Sequence, residues 1–394
     1  MDKFKKLGII EPVLLSIKEQ GFDKPTQIQS KSILPLLEGK DVIATSVTGS
    51  GKTLAFASRV IEVCEVGRGV QGIIIVPTRE LAKQVTNEMI KYSKHCNIEV
   101  VAIYGGLSIN KQTEALKSAN IVVSTTGRLL EHISQGNIDF KNMKTIVLDE
   151  ADLMIGAEFI EDVENIFEVC PDYIQKLMFS ATINEEVLKF ASKYMNNPQK
   201  ILAKFVLESS KLKQICYNVQ DDMKLSLLVH CLKYKKAGLS LVFANRQENA
   251  KLIALNVKKY TDLKVGVVHG GLSTGKRNRV IKDFKDQRFD VLVATDIAAR
   301  GIDVNYITHV YNYNIPKDKT KYVHRVGRTA RAGKEGEVVN FVSNKDYDLF
   351  TSLVDDMKTV IFKNIGEVEI IKPQRKEIKS SKKIIKKGNK KYYR

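Results

Sequence analysis

The stretch Thr145-Ile146-Val147-Leu148-Asp149-Glu150-Ala151-Asp152 decides the fold class that we expect for this chain. Its apolar part, residues 146–148, is typical of a strand buried on both faces of a parallel sheet. The strand ends in two adjacent acids. Nucleotide-hydrolysing α/β folds bring a magnesium-coordinating acid and a water-orienting acid to the sheet edge in this way. The stretch alone also fits a strand that runs into a polar helix start, with Asp149 or Asp152 as the N-cap.

Length and composition bound the class of protein. With 394 residues and a hydrophobic fraction of 43%, the chain has material for two or three domains with buried cores. No apolar run reaches the ~18 residues that span a bilayer, and residues 1–6 are not followed by the apolar stretch of a signal peptide. The five cysteines are scattered without a CxxC pair, which supports neither a zinc site nor a disulfide framework. We therefore expect a protein of the reducing cytoplasm without a membrane partner.

The charge is strongly positive and unevenly distributed. Sixty-three Lys and Arg face 45 Asp and Glu, a net charge of +18, which predicts a nucleic acid as partner. Residues 372–394 hold eleven Lys and Arg and one acid, so more than half of the excess lies at this end. We predict that residues 366–394 form a disordered basic tail that tethers the nucleic acid. The alternative is a solvated tail that only improves solubility.

A second motif predicts a phosphate-binding loop. Residues 41–45 resemble a strand and run into Ser46-Val47-Thr48-Gly49-Ser50-Gly51-Lys52-Thr53. The glycines would let backbone N–H groups approach phosphate oxygens, and the following helix N-terminus adds partial positive charge. Lys52 would reach the outer phosphates, and the Thr53 hydroxyl would ligate magnesium. The strict GxxxxGK[ST] pattern fails at Ser46, and an ordinary turn is the alternative.

Upstream of this loop, Gln29 follows a predicted helix cap at Thr26. A glutamine amide can donate to and accept from one base edge at once, which suits adenine. On local grounds alone, an ordinary helix residue is the better explanation of Gln29 than an adenine contact.

Three further strands end in loops that carry Gly, Thr or Arg. These loops are residues 77–79 (Pro-Thr-Arg), 104–106 (Tyr-Gly-Gly) and 125–128 (Thr-Thr-Gly-Arg). Strands of an open α/β sheet end at one edge, so the three loops should lie side by side. Backbone N–H groups, hydroxyls and two guanidiniums together suit a sugar-phosphate backbone, although each loop alone fits an ordinary strand-to-helix turn.

The strand–helix alternation breaks at residues 206–213, which we predict to be a linker between domains 1–205 and 214–365. The second half carries no phosphate loop. Between His324 and Arg331, four basic or potentially basic groups occur within eight residues without an acid among them. This spacing favours a triphosphate clamp over a solvated basic loop.

Together and in this order, the motifs resemble the DEAD-box family of ATP-dependent RNA helicases, within helicase superfamily 2. The resemblance covers about residues 4–365. It implies an α/β fold of two tandem RecA-like domains, each a mostly parallel sheet flanked by helices. ATP and Mg²⁺ would bind in the cleft between the domains, and RNA would cross both domains without sequence preference.

The resemblance also implies a role for each matching residue. The implied nucleotide contacts are Phe4 and Gln29 at adenine, Thr48, Gly49, Ser50, Gly51, Lys52 and Thr53 at the phosphates, and Asp303 at the ribose. Asp149 would hold Mg²⁺ with Thr53, Glu150 would orient and deprotonate the attacking water, and Arg328 and Arg331 would stabilise charge on the γ-phosphate. Ser180, Thr182, Asp152 and His324 would couple hydrolysis to work on RNA. The implied RNA contacts are Pro77, Thr78, Arg79, Gly105, Gly106, Thr125, Gly127, Arg128, Arg277 and Thr295.

Four positions depart from the family pattern. Ser46 opens the phosphate loop, and Ala330 replaces a glycine between the two arginines. Thr126 replaces a proline, which should make the loop before Arg128 less rigid. Thr274 replaces a glutamine three residues before Arg277, which weakens that expected RNA contact.

Two other functions remain open at this point. One is a DNA helicase or translocase of the same superfamily, against which Gln29 and the intact acidic stretch argue. The other is an ATP-gated RNA clamp that does not unwind, which would use the same residues.

Overall fold

The structure is a computed structural model that describes residues 2–45, 49–156, 159–202, 212–234, 238–299, 304, 306–330, 334–355 and 360–373. Several predicted positions lie outside the described residues: Ser46, Thr48, Asp303, Arg331, residues 206–211 of the linker, and residues 374–394 of the tail. We call residues 2–202 the first lobe and residues 212–373 the second lobe.

Each lobe is built on one parallel sheet, with seven strands among the described residues. The first sheet has the order β3-β4-β2-β5-β6-β1-β7, and the second has the order β10-β11-β9-β12-β13-β8-β14. The second order is the first with every strand number raised by seven, so the two lobes share one topology. The prediction of two tandem α/β domains with mostly parallel sheets is confirmed.

The strands of the first sheet are β1 (Val42–Thr45), β2 (Gly72–Ile75), β3 (Val100–Ile103), β4 (Ile121–Ser124), β5 (Thr145–Asp149), β6 (Gln175–Ser180) and β7 (Gln199–Leu202). Those of the second sheet are β8 (Leu212–Asn218), β9 (Leu239–Phe243), β10 (Val265–Val268), β11 (Val291–Ala294), β12 (Ile307–Asn312), β13 (Gly336–Val342) and β14 (Val360–Lys363). Because β8 begins at Leu212, the predicted linker extends two residues too far.

The helices of the first lobe are α1 (Asp2–Lys5), α2 (Glu11–Glu19), α3 (Gln27–Leu37), α4 (Lys52–Glu62), α5 (Arg79–Tyr92), α6 (Ile109–Leu116), α7 (Thr126–Ser134), α8 (Ala151–Met154), α9 (Ile160–Glu168) and α10 (Glu185–Tyr194). Those of the second lobe are α11 (Lys224–Tyr234), α12 (Gln247–Tyr260), α13 (Thr274–Lys285), α14 (Asp296–Ala299), α15 (Lys319–Val326) and α16 (Tyr347–Val354), with a 3-10 turn at Asn344–Asp346. Among the described residues of both lobes, no helix is long and apolar enough to cross a membrane.

Strand β5 lies inside the first sheet, between β2 and β6, and all five of its residues are buried. The pairing register aligns the carboxyl ends of neighbouring strands: Leu148 pairs with Ile75, Asp149 with Phe179, and Ser180 with Thr45. The loops that follow these strands therefore share one edge of the sheet. Ser124 pairs with both Ile75 and Ile103, so the loops after β2, β3 and β4 lie at that edge as well, as the sequence predicted.

The C-terminal segment continues past the predicted domain end at residue 365. After β14, Ile365, Val368 and Ile371 pack on the face of the second lobe that α11 and α12 cover. The Ile371 backbone N–H donates to Ser226 Oγ at 3.1 Å, and Tyr260 Oη donates to the Lys372 carbonyl at 2.7 Å. The prediction of a tail from residue 366 is therefore wrong for residues 366–372, which belong to the folded lobe.

Removing residues 365–394 should lower the free energy of unfolding by about 2 kcal/mol more than removing residues 374–394, because only the longer truncation exposes the pocket of Ile371. Urea denaturation of the two truncated proteins, followed by circular dichroism, measures the difference. Identical unfolding midpoints would show that this segment does not stabilise the lobe.

Candidate active site at the lobe interface

The predicted phosphate loop, described here from Gly49 onward, has a backbone that requires glycine at two positions. Gly49 and Gly51 have φ angles of +84° and +87°, which L-residues rarely adopt. A Cβ atom on Gly51 would lie 2.4 Å from Gln29 Nε2. Helix α4 begins directly afterwards with Lys52 and Thr53, both buried. The strand, the glycine loop and the helix thus occur in the predicted order.

Gln29 connects the start of α3 to this loop. Thr26 caps α3 in a capping box, in which the Thr26 backbone N–H donates to Gln29 Oε1 at 2.9 Å. Gln29 Nε2 donates to the Gly51 carbonyl at 2.9 Å. Both amide atoms are thus bonded to backbone, which supports a role in holding the loop. Adenine contact by Gln29 stays a prediction. Phe4 is completely buried and exposes no ring face to a base in this structure.

A buried ion pair joins the phosphate loop to the end of β5. Lys52 Nζ lies 2.5 Å from Asp149 Oδ1. Burial lowers the pKa of Lys52, but the carboxylates of Asp149, Glu150 and Asp152 outweigh burial and raise it. Burial raises the pKa of Asp149 even though Lys52 is adjacent. One ammonium group thus faces three acids, and the other oxygen of Asp149, Oδ2, is buried without a hydrogen-bond partner.

Glu150 has a left-handed backbone, with φ +55° and ψ +47°, and is the N-cap residue of α8. The alternative in which Asp149 or Asp152 is the N-cap is wrong, because Glu150 occupies that position; its side chain forms no cap hydrogen bond. A left-handed residue other than glycine costs roughly 1–2 kcal/mol and is typical of functional sites. Asp149 Oδ1 accepts from the Glu150 backbone N–H at 2.8 Å, which helps to hold this turn.

Asp152 collects hydrogen bonds from the end of β6. The backbone N–H and Oγ1 of Thr182 both donate to Asp152 Oδ2, at 2.9 Å each. The Asp152 backbone N–H donates to Ser180 Oγ at 3.1 Å, and Ser180 Oγ donates to the Thr182 carbonyl at 2.6 Å. Burial raises the pKa of Asp152, but His324 and Thr182 outweigh burial, so the pKa lies below its usual range.

The second lobe meets the same cluster. Thr182 Oγ1 lies 2.8 Å from Thr320 Oγ1, and Asp152 Oδ2 lies 3.5 Å from His324 Nε2, a distance too long for a well-formed hydrogen bond. Ser180, Thr182, Asp152 and His324 therefore come together as the sequence predicted, at a contact between the lobes. Their coupling role stays a prediction.

Arg325 does not belong to a phosphate clamp. Its Nε and one Nη donate to the two carboxylate oxygens of Asp296, at 2.5 and 2.8 Å. The other N–H groups donate to Asn312 Oδ1, the Asn314 carbonyl and Asn245 Oδ1. All five donors are used, so the expectation that no acid pairs this basic stretch is wrong for Arg325. Its acid, Asp296, is the first residue of α14 and lies 29 residues away in the sequence.

Arg328 lies at the cleft. Its Nε donates to the His324 carbonyl at 3.2 Å, and its side chain is buried. Arg328 lines a small cavity between the lobes, together with His324 of the second lobe and Leu153 of the first lobe.

A groove beside this cleft gathers most of the predicted RNA contacts. It is lined by Pro77, Thr78, Arg79, Gly105, Thr125, Gly127, Arg128 and, from the second lobe, Arg277. Gly106 does not line the groove, but a Cβ atom on it would lie 2.5 Å from the Arg79 guanidinium. Thr295 follows β11 and is buried elsewhere. Five further lining residues were not among the predicted RNA contacts: Glu80, Thr126, Glu131, Phe159 and Asp162.

Comparison with known proteins follows the same division of the chain. A family model described as "DEAD/DEAH box helicase" matches residues 26–190, and one described as "Helicase conserved C-terminal domain" matches residues 223–333. The chain is 38% identical to the DEAD-box ATP-dependent RNA helicase CshA of Geobacillus kaustophilus, over 88% of this chain and 74% of that protein.

The chain belongs to the DEAD-box helicase family. It is 41% identical to CshA of Bacillus cereus over 352 residues, which cover 88% of this chain and 66% of that protein. The chain thus spans just under two thirds of the length of that relative.

Solved DEAD-box structures show the RecA-like fold and differ in their overall match. Yeast Dbp5 bound to RNA and ADP BeF3 aligns with a TM-score of 0.83 at 27% identity, over 93% of this chain and 96% of that chain. A DEAD box protein from Methanococcus jannaschii has 38% identity but a TM-score of 0.55, over 92% and 99%. Both alignments include both lobes, so the higher TM-score indicates the more similar arrangement of the lobes. The lobe arrangement here therefore resembles that of the RNA-bound Dbp5.

Replacing Gly51 with Ala should weaken nucleotide binding at least about tenfold, because the new Cβ combines an unfavourable φ with a clash at Gln29. Titration with a fluorescent ATP analogue measures this effect. Gly136→Ala is the matched control, since Gly136 also has a positive φ of +70° but has open space at the Cβ position. Equal nucleotide affinities for the two variants would contradict the assigned role of the loop.

Proposed function

We propose that this chain is an ATP-dependent RNA helicase, in which RNA-stimulated ATP hydrolysis is coupled to lobe closure and to local unwinding of short RNA duplexes or remodelling of RNA–protein complexes. The observation that carries this proposal is the hydrogen-bonded cluster around Asp152. The same short stretch that presents Asp149 and Glu150 to the phosphate loop also contacts Thr182, and through Thr182 and Asp152 it contacts the second lobe. These contacts support a direct coupling between nucleotide chemistry and lobe position.

The residues at the phosphate loop fit ATP with Mg²⁺. Three acids around one lysine leave excess negative charge, and the unpartnered Asp149 Oδ2 is an oxygen of the type that Mg²⁺ prefers. Asp149 would hold the ion, with Thr53 as a second ligand. When bound, Mg²⁺ would neutralise phosphate charge. Lys52 would then exchange its bond to Asp149 for the outer phosphates.

Hydrolysis would divide its tasks between the lobes. Glu150, held by its left-handed turn, would orient the attacking water and accept its proton. Arg328, together with Arg331, would reach the γ-phosphate only when the lobes are closed. An arginine supplied in this way is worth roughly 10³–10⁵ in rate in other nucleotide hydrolases. Neither lobe would be a complete catalyst alone.

RNA would occupy the groove lined by both lobes. Its predicted contacts are arginines and the loops at the strand ends, which recognise phosphate and sugar rather than base edges. This supports binding without sequence preference. The relatives named as RNA helicases and the Dbp5 structure with RNA support RNA as the nucleic acid, with the 2′-hydroxyl as the group that distinguishes it from DNA. The free cysteines fit a reducing cytoplasm as the site of action.

Single-stranded RNA should raise the ATPase rate well above the rate without nucleic acid, and single-stranded DNA of the same length should raise it less. A phosphate-release assay with matched oligonucleotides measures both.

Glu150→Gln should abolish turnover while keeping RNA bound in the presence of ATP, because the amide cannot accept the proton of water. Equal rates with and without RNA would refute the coupling, and a strand-displacement assay with a short duplex separates unwinding from clamping.

The basic tail should bind additional phosphates outside the groove. Removing residues 374–394 should flatten the dependence of RNA affinity on salt by roughly 0.7 log units for each phosphate that the tail neutralises in the full-length protein. Titrations at several salt concentrations measure the slope. An unchanged slope would leave the tail with a role in solubility only.

A further inference from the structure

The groove carries no net charge on its described lining residues, although the whole chain carries +18. Three arginines line it (Arg79, Arg128 and Arg277), and so do three acids (Glu80, Glu131 and Asp162). A surface that bound RNA only by long-range attraction would not place an acid for every arginine, because each acid repels phosphate.

Two of these arginines contact acids of the groove. Arg128 Nε lies 2.9 Å from Glu131 Oε2, one turn along the same helix. Arg277 Nη2 lies 3.5 Å from Glu80 Oε2, and this pair joins the second lobe to the first. The side chains of Arg277 and Glu80 are only 19% and 14% exposed, so the solvent screens this pair less than a surface pair. Arg277 also donates to the Ala298 carbonyl at 3.3 Å, which fixes its direction.

We propose that Glu80 is a built-in competitor of RNA phosphate for Arg277. Without RNA, the Glu80–Arg277 ion pair holds the lobes together across the groove. When RNA enters, a phosphate takes over Arg277, and Glu80 is left without its partner next to a like charge. The inference rests on the proposed function, since it assigns a regulating residue within the same RNA groove.

The competition makes two measurable predictions for Glu80→Gln, which keeps the shape of the side chain and removes its charge. The ATPase rate without RNA should fall about two- to fivefold, because the variant lacks an ion pair that favours closure. The slope of log affinity against log salt should become steeper by about 0.7, because Arg277 then neutralises a phosphate without first releasing an acid. A merely structural role would lower the rates with and without RNA by the same factor and would leave the slope unchanged.

The experiment compares the full-length protein with its Glu80→Gln variant. Binding of a short labelled oligouridylate is followed by fluorescence anisotropy across a salt series, with a non-hydrolysable ATP analogue present. Glu88→Gln is the matched control: it makes the same charge change on the same helix α5, away from the groove, and should change neither readout. Thermal unfolding confirms that all the variants fold.

The double variant Glu80→Arg with Arg277→Glu separates the two parts of the proposal. It restores an ion pair between the lobes with reversed polarity, so the ATPase rate without RNA should recover toward that of the unmodified protein. Failure to recover would overturn the lobe-closing role, and an unchanged or shallower salt slope for Glu80→Gln would overturn the competition. If the unmodified protein binds no RNA at all, the proposed function fails instead.

Discussion

The hydrogen bonds to the Asp152 carboxylate are the constraint on which the rest of the site depends. They tie the turn after β5 to the end of β6, and they place Thr182 against Thr320 of the second lobe. Because Glu150 is only two residues away, any shift of Asp152 would move the residue expected to act on water. The left-handed turn at Glu150 costs energy that this network must offset. The acids expected to act in hydrolysis and the contact between Thr182 and Thr320 therefore belong to one hydrogen-bonded local structure.

Much of this arrangement could be predicted from sequence, because parallel strands place their carboxyl ends in a row. From that rule alone, the loops after β2, β3 and β4 were predicted to lie side by side, and residues of all three line the groove. What the sequence did not show depends on contacts between distant positions. Asp296, which pairs with Arg325, lies 29 residues away, so the basic stretch resembled an unpaired cluster. Glu80 directly follows Arg79, yet nothing local indicates that its partner is Arg277 of the other lobe.

Gln29 shows how a local and a functional interpretation can coincide. The sequence left open whether it is a helix residue or an adenine contact. In the structure its amide completes the cap of α3 and bonds the carbonyl of Gly51. A nucleotide that engaged this amide would compete with both bonds and alter the support of the phosphate loop. The two lobes have the same strand order but differ in the residues they contain: the predicted phosphate loop lies in the first lobe, and Arg325 and Arg328 lie in the second.

The anchoring of residues 365–372 fixes the origin of the basic C-terminus. Because Tyr260 donates to the Lys372 carbonyl, the chain leaves the described structure beside α12 and not at the end of β14. Ile371 is buried against Ser226 of α11, so the position and direction of the backbone at Pro373 are set by the packing of the second lobe. A label or domain attached after Pro373 would therefore be placed on the α11–α12 side of this lobe.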